Sequence, residues 1–190
     1  MKLVVGLGNP GDSHSKDRHN VGFWFLDRLC RNRGVELREN SKFKALVGSD
    51  SRGVRFLKPL TYMNLSGLSV RGFSEYYNIT PELILVVHDE LDLPSGAVKL
   101  KRGGGTGGHN GLRSIEENLS SRDYCRIRLG IGRPKGRQTV TSHVLSAPAA
   151  DERIIIEARM DNVLEYADDL IKNFDKSMNI LNQSNNLENS

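Results

Sequence analysis

Three polar clusters hold the side chains best suited to moving a proton. They are Arg18-His19-Asn20, His88-Asp89-Glu90-Leu91-Asp92 and the run from Lys101 to Ser114, each at the edge of an apolar stretch. The third joins Lys101 and Arg102 to five glycines (Gly103, Gly104, Gly105, Gly107 and Gly108) ahead of the pair His109-Asn110. Ordered glycine costs backbone entropy, so such density marks backbone that must approach a ligand or take φ > 0. Histidine titrates near neutrality and can take a proton from water, provided its other ring nitrogen has an acceptor that fixes the tautomer. His19 is the candidate base. Asp89, just after the apolar run Leu83 to Val87, is the candidate acceptor, with Glu90 and Asp92 as competitors. Asn9, Asn64 and Asn110 stand at strand-to-loop or loop-to-helix junctions. Each fits a turn or a cap by itself, but together they offer uncharged donors and acceptors suited to a peptide or a ribose 3′ end. Met63 beside Asn64 supplies either core packing or an adaptable apolar wall.

Other chemistries fit less well. G-x-S-x-G is absent, and Cys30 and Cys125 both lie in apolar periodic segments, as small buried hydrophobes of a reducing, cytoplasmic compartment do. A metal site would use His88, Asp89 and His109, but their spacing matches no zinc signature. Gly6-Leu7-Gly8-Asn9-Pro10-Gly11 fits the letters of G-x-G-x-x-G. Pro10 removes an N–H from the turn that would hold phosphate, and Asp12 to Arg18 has no apolar helical face, so both argue against a dinucleotide fold. A tight Asn-Pro-Gly turn that aims Asn9 away from the strand end explains the segment.

The elements that must position these groups follow from periodicity. Leu3 to Leu7 reads as a buried strand, Val21 to Arg33 as a helix with Gly34 past its end, and Phe43 to Gly48 and Val54 to Lys58 as strands around the turn Asp50 to Gly53. Asn64 is expected to cap a helix to about Asn78, and Asn110 a short one through Leu119. Leu83 to Val87 reads as a central strand, Ala97 to Lys101 and Tyr124 to Ile131 as further strands, and Asp151 to Leu181 as mostly helix, with a polar, frayed tail over 183–190. Helices alternating with strands, with hairpins intruding, predict a single α/β domain with a mixed sheet over 1–182. No stretch approaches the roughly 20 apolar residues of a membrane helix, and Met1 to Gly6 is too short for a secretory leader. The net charge is +4, and ten Lys or Arg against three acids fall between Ala97 and Val140, around the glycine run. That distribution predicts a polyanion footprint.

The same segments resemble the bacterial-type peptidyl-tRNA hydrolases. The matching motifs are Val5 to Gly11, Arg18-His19-Asn20-x-Gly22, Lys58-Pro59-x-Thr61-x-Met63-Asn64-x-Ser66-Gly67, His88 to Gly96, Gly103 to Leu112, and Arg128-x-Gly130-Ile131-Gly132-x-Pro134, in order along nearly the whole chain. The resemblance implies a monomer with a twisted mixed β-sheet flanked by helices. It implies hydrolysis of the ester between a peptide and the 3′ ribose of tRNA, without metal or cofactor. Position by position, it implies His19 as base and Asp89 as its orienting carboxylate. Asn9, Met63, Asn64, His109 and Asn110 would line the cleft, and Lys99, Lys101 and Arg128 would meet tRNA phosphate. A noncatalytic RNA-binding relative is the alternative that intact His19 and Asp89 argue against. Two positions depart from the pattern: His14 stands where the family usually has Tyr, and Asp17 where it has Thr. His14 is thereby expected at the substrate end of the cleft.

Overall fold

A computed structural model describes residues 1–187 of the chain. Seven strands form one mixed sheet: β1 (Leu3–Gly6), β2 (Arg38–Asn40), β3 (Ala45–Ser49), β4 (Arg55–Pro59), β5 (Ile84–Glu90), β6 (Val98–Arg102) and β7 (Cys125–Gly130). Their order is β2-β3-β4-β1-β5-β7-β6. The centre, β4-β1-β5-β7, is parallel, and β2, β3 and β6 join it antiparallel at the edges. The helices are α1 (Val21–Asn32), α2 (Ser66–Tyr76), α3 (Asn110–Leu119), α4 (Val140–Val144), α5 (Ala150–Glu165), α6 (Ala167–Lys172) and α7 (Phe174–Leu187).

The central strands read as unbroken apolar runs because both of their faces are buried. On one face, Val4, Leu85, Val87, Ile127 and Leu129 pack against Phe25 and Leu29 of α1 and Ile156, Met160 and Val163 of α5. On the other, Leu3, Val5, Ile84 and Val86 pack against Val70 and Phe73 of α2 and Leu112 and Ile115 of α3. Ligands of open parallel sheets gather beyond the carboxyl ends of the strands. Here β1 ends into Leu7-Gly8-Asn9 and its neighbour β5 ends at His88-Asp89-Glu90.

One glycine lets α1 begin there. A Cβ on Gly22 would lie 2.4 Å from the carbonyl oxygen of Val87 and 2.5 Å from that of Leu7. Only a bare backbone lets the first turn of α1 press on the β1–β5 seam, and this sets the turn Arg18–Asn20 over the strand ends.

Several expected boundaries shift. Asn64 does not cap α2: a 3₁₀ turn, Met63–Leu65, precedes it, and Asn78 ends its run with φ of 52°. Asn110 is the first residue of α3, and the cap is His109. The long C-terminal helix is three pieces, broken at Tyr166 and at Asn173, whose extended backbone (φ −142°, ψ 79°) stops α6. Helix α7 continues past Leu181 to Leu187, through the first part of the polar stretch expected over 183–190, and 188–190 lie outside the described residues. No helix among the described residues is long and apolar enough to cross a membrane. Gly34 takes φ of 64° past α1, where Val35 N–H returns to the Cys30 carbonyl at 2.8 Å, as its place in the sequence predicts.

Gly22→Ala is expected to lower the free energy of unfolding by about 1–3 kcal/mol, the usual cost of overpacking. Urea titration measures it, and an unchanged midpoint with an unchanged slope would contradict the close approach.

Candidate active site

The turn Arg18–Asn20, the end of β5 and the start of α3 bring three groups together. His19 Nδ1 lies 2.8 Å from Asp89 Oδ1, and His109 Nε2 lies 2.9 Å from the same oxygen. Asp89 is 3% exposed and His19 8%. His109 Nδ1 accepts the backbone N–H groups of Gly111 (3.1 Å) and Leu112 (3.4 Å) at the head of α3. Those bonds place the ring proton of His109 on Nε2, which donates to Asp89. His19 donates through Nδ1 in the same way, so its Nε2 is left as the basic nitrogen.

The electrostatics match this pattern. Burial works to raise the Asp89 pKa, but the charge and hydrogen bonds of His19 and His109 together hold its carboxyl well below the usual range. Burial is also the largest single influence on His19 and lowers its pKa; the charge and hydrogen bond of Asp89, with the charge of Asp17, outweigh it and raise the imidazole above its ordinary 6.5. His88 is fully buried behind them. Its Nδ1 donates to the Asp89 carbonyl at 2.7 Å, and its ring meets His109 edge-on with centroids 5.1 Å apart. Burial first, then the neighbouring His109, pushes its pKa well below 6.5, so His88 is a neutral brace.

The ligand atoms of His19, Asp89 and His109 lie within 4.8 Å of one another, a spacing open to a metal ion. Hydrogen bonding accounts for the cluster without one. Two imidazole N–H groups point at one carboxylate oxygen, and a protonated nitrogen is not a ligand.

These groups line a cleft of about 650 Å³. Asn9, Met63, Asn64, Asp89, His109 and Asn110 all face it with His19. Asn9 is held firmly: its Oδ1 accepts Met63 N–H at 2.8 Å, and its backbone N–H and C=O bond the Asn20 side chain at 2.9 Å each. The remaining donor, Asn9 Nδ2, has no partner among the described residues and is available to the cleft. Asn64 and Asn110 are exposed at its edge.

A profile of the family described as "Peptidyl-tRNA hydrolase" matches residues 3–189. The chain belongs to the peptidyl-tRNA hydrolase family. A peptidyl-tRNA hydrolase of Methylococcus capsulatus is 48% identical over 173 residues, covering 90% of this chain and 92% of that one. One of Halorhodospira halophila is 49% identical over 168 residues, covering 87% of each. The crystal structure of the peptidyl-tRNA hydrolase from Acinetobacter baumannii superposes with a TM-score of 0.91 at 42% identity, covering 96% of this chain and 94% of that one.

His14 does not take the place in the cleft expected of it. It is absent from the cleft lining, and its Nδ1 bonds Asp17 Oδ2 at 2.8 Å in the outer turn. That bond ties the ring to Asp17, away from the cleft. Lys99, Lys101 and Arg128 also stand outside the cleft, on adjacent strands, with Lys99 opposite Arg128. Lys101 is exposed, and Arg128 Nε donates to Glu90 at 2.9 Å.

Several groups that shape the cleft emerge only from the fold. Tyr62, Leu91, Val140, Val144 and Leu145 give the cleft apolar lips beside Thr141, and nothing in their spacing announced it. Asn20 was visible in its cluster, but its grip on Asn9 depends on a contact across the sheet end. Arg126 was visible only as one more cation of the basic zone. It is 2% exposed, and its guanidinium binds the carbonyls of Gly104 and Gly105, fixing a loop in which Gly103, Gly104, Gly107 and Gly108 all take positive φ.

The rate of ester hydrolysis is expected to rise with pH as His19 loses its proton, with an acid-limb midpoint above 6.5. In Asp89→Asn, burial acts without the carboxylate, so the midpoint should fall below 6.5 and kcat should drop by at least about a hundredfold. Initial rates from pH 5 to 9 measure both, and a midpoint that does not move would contradict the pairing.

Proposed function

We propose that this chain hydrolyses the ester joining a peptide, or an N-blocked aminoacyl group, to the 3′ ribose of tRNA. The observation that carries the reading is the His19–Asp89 hydrogen bond at the floor of the cleft, in a chain of this family. A water held against the ester carbonyl gives a proton to His19 Nε2 as its oxygen attacks. Asp89 stabilises the imidazolium so formed, and His109 shares the carboxylate so that it stays oriented. The carbonyl oxygen becomes an oxyanion. Asn9 Nδ2 is the best-placed donor to it, because Met63 N–H already fixes that side-chain amide, Asn20 holds the Asn9 backbone, and no reorganisation is needed. Collapse of the tetrahedral intermediate expels the ribose 3′ oxygen, which takes the proton back from His19, leaving free tRNA and a peptide carboxylic acid that ionises by losing its proton to solvent.

The glycine loop presents backbone along the cleft, which suits a peptide of any sequence. Lys99, Lys101 and Arg128 form a separate cationic strip for phosphate, which gives affinity without base readout. Glu90 holds Arg128 until an anion competes for it. All these groups come from one chain, so a monomer is a sufficient working unit. Cys30 and Cys125 are free and buried, and burial pushes their thiols up to about 12 and about 11, as inert cysteines of a cytoplasmic protein.

His19→Ala tests the reading. Peptide release from N-acetylated aminoacyl-tRNA should fall by about 10²–10⁴-fold, the range of general base catalysis, while tRNA binding stays within a few-fold of wild type. Turnover at the wild-type rate would remove His19 from this role.

A further inference from the structure

One wall of the cleft is built by α4 and the residue after it, through Val140, Thr141, Val144 and Leu145. A helix of five residues is too short to persist by itself, and Val140 and Leu145 are exposed. The wall is therefore held from outside. Thr139 Oγ1 accepts Ser142 N–H at its start, and buried His143 donates Nε2–H to the carbonyls of Ile131 and Gly132. The tightest hold is at its far end, on the residue beside His19.

Arg18 is 8% exposed, and it spends its whole guanidinium there. Nη1 lies 3.4 Å from the His143 carbonyl, 3.2 Å from that of Ser146, 3.0 Å from that of Ala147 and 2.9 Å from Ser146 Oγ. Nε and Nη2 reach the two carboxylate oxygens of Glu152 at 3.2 and 2.6 Å. The Arg18 backbone N–H also donates to the Ser146 carbonyl at 3.0 Å. Ser95 Oγ binds Glu152 Oε1 at 2.7 Å, so the loop after β5 meets the same pair. A planar five-donor fork can serve carbonyls and a carboxylate at once, and a lysine ammonium cannot.

We infer that Arg18, oriented by Glu152, is a positioning residue that fixes the α4 wall relative to His19 and so sets how tightly the cleft holds its substrate. It does not touch the reacting atoms. The inference rests on the cleft being the peptidyl-tRNA site.

The experiment uses the full chain with Arg18→Lys, which keeps the charge, and Glu152→Gln, which keeps the shape. With N-acetylated aminoacyl-tRNA, KM should rise about tenfold in Arg18→Lys and in the same direction in Glu152→Gln. The double variant should be no worse than Arg18→Lys alone, because the two act as one unit. kcat should stay within about threefold, and its acid-limb midpoint should not move. Hydrogen exchange should quicken at 139–147 and remain unchanged in α1 and β5. An unchanged KM, additive effects, or exchange that quickens equally in every element would overturn the inference. Wild-type protein without turnover would instead overturn the functional reading, and the exchange comparison would still decide the clamp.

Discussion

A carboxylate almost wholly withdrawn from water must be matched by donors, and at Asp89 both donors are imidazoles. Unmatched, its charge would cost several kcal/mol or be lost to protonation. Matched, it dictates its surroundings. It takes Nδ1–H from His19 and thereby turns the other nitrogen to the cleft. It takes Nε2–H from His109, whose Nδ1 is already committed to the first turn of α3. Two elements far apart in sequence are thus tied to the end of β5 through one oxygen atom.

The rest of the fold makes that convergence possible. Parallel β1 and β5 lie side by side, so Asn9 and Asp89 leave the sheet at the same edge. Gly22 lets α1 sit on their seam. Arg126 from the start of β7 ties down the glycine loop, and Arg18 ties down the α4 wall. Both arginines are buried, and both bind backbone carbonyls while a carboxylate, Glu116 or Glu152, meets the same guanidinium. Irregular backbone around the cleft gains from them the rigidity that helices and strands get from their own ladders.

Much of this was legible in the sequence, for physical reasons. The central strands show as apolar runs, the amphipathic helix α1 shows as a stripe closed by a glycine, and His19 and Asp89 show as polar groups at the edges of apolar runs. What escaped were relations that local pattern cannot encode. His109 rather than Asn110 caps α3, since an imidazole that must also reach Asp89 can turn its other nitrogen to the helix. The kink at Asn173 interrupts a stripe that looks continuous from Ile156 to Met178. His14 looked like a cleft residue by position, and only the fold shows that its neighbour Asp17 holds it outside. Helix α4 and the lips it supplies left no periodic signal, since five residues span little more than one turn.

The central claim is that one carboxylate sets the tautomers of two histidines, and nitrogen NMR of the ¹⁵N-histidine-labelled protein reads this directly. Above the titration of His19, its Nδ1 should carry the proton and its Nε2 should not, while His109 should show the reverse. A proton on Nε2 of His19 under those conditions would contradict the account, because the nitrogen facing the cleft could then accept nothing from water.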